Sequence, residues 1–146
     1  MTAWFALTQG RFRQAVDASQ LGQAVAQGTS APVQPFAQEA KALPRMARDD
    51  VQASEYATSV IGYNIAPDGT ELSPMRISEC RLTLAFVAGR QGDLEQAVDL
   101  GVEGLKDGRQ SKVHLRMIAS ELDQELQRRF PGEVTLSGLS DAIRAV

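Results

Sequence analysis

Gln91-Gly92-Asp93-Leu94-Glu95-Gln96-Ala97-Val98-Asp99 repeats a stretch found 82 residues earlier, Gln9-Gly10-Arg11-Phe12-Arg13-Gln14-Ala15-Val16-Asp17. Six of the nine positions are identical, and Phe12 and Leu94 form an apolar match. Gln52-Ala53 echoes the Gln-Ala pair, within residues 48–53, as either a fainter third copy or a coincidence of composition. The physical content of the motif is a helix, a glycine-containing reversal and a second helix. Glycine permits the tight turn, and alanine lets two helix axes approach closely. Such a unit is the building block of an α-solenoid; the alternative is a helical bundle with one duplicated hairpin.

Outward from the repeat, the chain shows helical periodicity broken by short turn signals, with no sustained period-2 alternation. Helices are expected near 2–9, 11–27, 31–47, 50–64, 74–90, 93–107, 111–130 and 136–145. Together they make a single all-α domain over 1–146, with helix pairs near 2–27, 31–64 and 74–107 and two C-terminal helices. Ser73-Pro74 is a helix start, with serine as cap and proline at a position where its missing N–H costs nothing. Pro67-Asp68-Gly69 before it is a turn. Leu115, Ile118, Leu122 and Leu126 form a buried stripe, and Glu125 stands four residues before Arg129 on the solvent side. Phe130-Pro131-Gly132 ends that helix. Pro44 would kink or shorten the 31–47 helix.

Composition narrows the function classes. Twenty alanines and few aromatics suit close helix packing, and 43% hydrophobic residues suit a packed core. One cysteine, Cys80, excludes an internal disulfide and a Cys-rich zinc site, and one histidine, His114, excludes multi-His metal centres. With no strand-borne phosphate loop and no means of positioning a catalytic triad, the chain reads as non-enzymatic, without metal or cofactor. Net charge is −3, split as +3 over residues 1–48 and −6 over 49–146, and neither part is basic enough for DNA binding. No apolar run is long enough to span a bilayer, and residues 1–10 carry no secretion signal, so a cytoplasmic location is expected.

Residues 78–111 resemble a tetratricopeptide repeat. Leu84, Ala85 and Ala88 match the packing positions of its first helix, and Gly92, Leu94 and Ala97 match the turn and second helix. Gly101 and Gly104 depart from the pattern, at about 1 kcal/mol each against alanine, which puts local packing in doubt. More broadly, the chain is similar to the C-terminal region of actinobacterial Xre-type helix-turn-helix transcriptional regulators. The resemblance is carried by Trp4-Phe5-Ala6-Leu7-Thr8-Gln9-Gly10-Arg11-Phe12 and Ala37-Gln38-Glu39-Ala40-Lys41-Ala42. It continues through Pro67-Asp68-Gly69-Thr70-Glu71, Ser73-Pro74-Met75-Arg76-Ile77 and Gly92-Asp93-Leu94-Glu95-Gln96-Ala97. The family's DNA-binding domain has no counterpart here, and a helix pair is missing near 47–54. The resemblance therefore implies an N-terminally truncated solenoid, either a protein- or peptide-binding module or a regulator remnant without independent activity. It would not bind specific DNA or a membrane by itself.

In the repeat register, Trp4 and Phe86 are equivalent and face the concave groove, with Leu82 one turn before Phe86. Trp4, Leu7, Leu82 and Phe86 are the candidate partner-binding residues, with plain packing as the alternative. The exposed N-terminal edge, carrying Trp4, Phe5 and Leu7, would self-associate or dock on another chain. Arg76, Glu79, Thr83 and Arg90 read as a solvated polar stripe, Arg81 as half of an ion pair and Cys80 as a small buried hydrophobe. His114 reads as a surface or capping residue, Asp49-Asp50 as helix N-terminal charges and Arg128-Arg129 as C-terminal ones.

Overall fold

The computed structural model describes Ala6, Gln9 and residues 11–26, 49–106 and 112–146. Among them are six helices: α1 (Phe12–Ala26), α2 (Asp50–Tyr63), α3 (Pro74–Gln91), α4 (Leu94–Gly104), α5 (Lys112–Arg129) and α6 (Leu136–Ala145). Each falls within a few residues of its expected position. The expected 31–47 helix, with Pro44, lies outside the described residues, as does most of 2–9. No strand is present among the described residues, and no helix is long and apolar enough to cross a membrane.

Where both copies of the motif are described, they make the same backbone bonds. In the second copy, the Asp93 N–H donates to the Ala88 carbonyl (3.0 Å) and the Ala97 N–H to the Asp93 carbonyl (3.1 Å). The first copy has the same bonds 82 residues earlier, from Arg11 to Ala6 (2.9 Å) and from Ala15 to Arg11 (3.0 Å). Ala15 and Ala97 are both fully buried, and Val16 and Val98 nearly so. Gly92 makes the reversal with φ +91°, a left-handed conformation that favours glycine. The Gln52-Ala53 segment has a similar helix start. The Asp49 carboxylate accepts from the Gln52 N–H (3.1 Å), as the Asp93 carboxylate does from Gln96 (3.0 Å), and Ala53 is fully buried.

Helix α3 is the central element, packed by α2, α4 and α5, while α6 covers α4 and α5. Its length is buried from Ile77 to Gly89 apart from Arg81 and Leu84, so its apolar residues run round the helix instead of along one stripe. Leu82 and Phe86 join the predicted α5 stripe, Leu115, Ile118, Leu122 and Leu126, and Leu136 and Leu139 of α6 in the main core. Each fully buried leucine contributes about 1.5–3 kcal/mol. A smaller cluster joins Ala15 and Val16 of α1 to Ala53 of α2 and Val87 of α3.

Gly101 and Gly104 strengthen the packing that the repeat pattern put in doubt. A Cβ on Gly101 would sit 2.9 Å from Leu139 Cδ1, and one on Gly104 would sit 3.1 Å from both Leu82 Cγ and the Ser78 carbonyl oxygen. The glycines let α6, α5 and α3 approach α4 where a larger residue would hold them off.

Between α2 and α3 the chain forms a small reversal that sequence periodicity does not show. Ile65 and Glu71 make an isolated antiparallel bridge, and the Leu72 N–H donates to the Asn64 carbonyl (2.7 Å). The Asp68 carboxylate accepts from the Thr70 N–H (2.9 Å), which holds its pKa below the ordinary value. Pro74 does open α3, but the Ser73 hydroxyl makes no capping bond; only its carbonyl joins the helix, accepting from Ile77 N–H (3.1 Å).

Candidate functional site

Helix α3 carries both sets of described residues that sequence reading singled out for function. Leu82 has no exposed surface and Phe86 has 9%. Leu82 packs over Gly104, and both side chains lie in the main core. They are therefore packing residues, and their expected concave-groove role gives way to helix–helix contact. Trp4 and Leu7 lie outside the described residues, as does the rest of the expected N-terminal docking edge apart from Ala6 and Gln9.

Three of the four residues of the α3 polar stripe, Glu79, Thr83 and Arg90, are turned inward, contrary to the expectation of a solvated face, while Arg76 is half-buried. Glu79 and Thr83 are buried, and the Thr83 hydroxyl donates to the Glu79 carbonyl (3.0 Å). Arg90 donates from Nη1 to the Asp50 carboxylate at the start of α2 (3.0 Å), with only 10% of its side chain exposed. Arg81 pairs with Glu71 in the preceding reversal (2.9 Å), as its packing position suggested. His114 is not a surface residue: its Nε2 approaches Glu79 Oε1 at 3.0 Å, and its side chain is 12% exposed. Single polar contacts thus tie α2, the α2–α3 reversal and α5 to the same central helix.

Chemically, this arrangement fastens helices. A carboxylate and an imidazole at 3.0 Å are the makings of an acid–base pair, but here both are enclosed in the α3–α5 seam. Cys80 is a buried thiol, as expected of a small core residue, and clusters with Ala57 and Val60. Among the described residues, no group of three or more His, Cys, Asp or Glu side chains is placed to hold a metal ion.

A surface depression of about 420 Å³ runs along the outer side of α4, lined by Asp93, Glu95, Gln96, Asp99, Leu100 and Glu103. Small-molecule sites are mostly apolar with a few convergent polar groups. This one has four carboxylates around a single leucine. Asp93 already caps α4, and Glu103 already pairs with Lys106, which leaves Glu95 and Asp99 as its uncommitted charges by these contacts.

No family model matches the chain, and neither a curated protein nor a solved structure matches it.

Proposed function

We propose that the chain is a non-enzymatic, tetratricopeptide-like solenoid module that binds a protein or peptide partner. In this reading it is related to the regulatory half of an Xre-type transcriptional regulator. The observation that supports the proposal is the shared pattern of two backbone bonds at the two copies, Arg11 to Ala6 and Ala15 to Arg11 against Asp93 to Ala88 and Ala97 to Asp93, with the same buried alanine and valine. The Asp49 cap on Gln52 starts a further helix in the way Asp93 does on Gln96, which supports the reading without making a third copy of the hairpin. Stacked hairpins of one type leave an extended surface, which is how α-solenoids engage other chains. The inward-facing polar groups of α3 agree with a scaffold role for that helix.

The test is selection of a random displayed-peptide library on the immobilised full chain, followed by thermal unfolding with the selected peptide. A consensus sequence should emerge, and the peptide should raise the unfolding midpoint. Binding to the folded state alone adds about 2.7 kcal/mol at a hundredfold excess over Kd. A chain that unfolds cooperatively yet enriches no peptide, and sediments as a monomer at every concentration, contradicts the proposal.

A further inference from the structure

We draw no further inference here: the strongest candidate, the open depression on the outer side of α4 lined by Asp93, Glu95, Asp99 and Glu103, is a cluster of carboxylates on one helix with no second observation that points to a ligand.

Discussion

Gly89 of α3 lies so close to Leu126 of α5 that a Cβ at position 89 would overlap the leucine Cδ2. The contact sets the distance between two helices of the main core. Leu126 is fully buried, so its side chain has little room to turn away. Overpacking costs about 1–3 kcal/mol, and alanine's better helix propensity returns about 1 kcal/mol. Gly89→Ala is therefore expected to lose about 1 kcal/mol in urea denaturation. Gly62 is the control: it lies near the end of α2, exposed, with nothing within 4 Å of an added Cβ. Gly62→Ala should gain about 0.5 kcal/mol. In a Leu126→Ala background, which already has space, Gly89→Ala should lose much less. Equal effects at the two glycines would contradict the close approach of α3 and α5.

The matching aspartate caps make a second prediction. Asp49 and Asp93 each satisfy a free N–H at the start of a helix. Asp49→Ala and Asp93→Ala should each cost about 1 kcal/mol, read as a lower urea midpoint at unchanged slope. Asp93→Asn should recover most of the loss, because the amide oxygen can accept the same bond. A cost that asparagine does not relieve would assign the effect to charge and not to capping.

Arg90 and Asp50 stand 40 residues apart and hold α2 to the central helix. Arg90 is largely enclosed while Asp50 is part-exposed, so the pair lies between the exposed and buried limits. Its coupling in a double-mutant cycle of Arg90→Met and Asp50→Asn should be about 1 kcal/mol. Methionine keeps much of the packing made by the arginine stem. A coupling indistinguishable from zero would show that the pair is incidental to packing.

Acid should release one surface contact in a predictable direction. Burial pushes the Glu125 carboxyl up, but hydrogen bonds from Arg129 and Arg128, together with their charges, bring it below the ordinary value of 4.5. A carboxylate depressed by folding contributes stability above its unfolded pKa, and that contribution fades as pH falls through the folded value. Wild type should exceed Glu125→Gln at neutral pH by less than about 1 kcal/mol, since Arg128 is well exposed and Arg129 is partly exposed. The difference should shrink below pH 4.5. A difference that grows in acid would reverse the sign of this argument.

The helices were readable in the sequence because their signals are local. The leucine stripe of α5 needs only residues three and four apart, and Gly92, Gly69 and Gly132 mark turns that all have positive φ. The direction of the α3 polar stripe was not readable. Glu79, Thr83 and Arg90 have the same spacing on a solvated face as in a helix seam, and their partners His114 and Asp50 are distant in the chain. The glycines of α4 misled for a related reason. Their conformational cost belongs to one helix, whereas the gain comes from Leu82 of α3 and Leu139 of α6. The Ile65–Glu71 bridge is too short to leave an alternating pattern. Of the candidate groove residues, Leu82 and Phe86 followed the packing alternative because their register points into the α3–α5 core.

The central claim is that one hairpin unit is used at both ends of the 82-residue offset. Its most direct test is the triple variant Arg11→Asp, Phe12→Leu, Arg13→Glu, which turns the first motif into the second. If the two positions are equivalent, Asp at position 11 can cap α1 as Asp93 caps α4, a gain of about 1 kcal/mol. Urea denaturation should then show cooperative unfolding with a midpoint at or above that of wild type. Loss of cooperativity, or destabilisation beyond about 2 kcal/mol, the upper end of a capping effect, would contradict the claim.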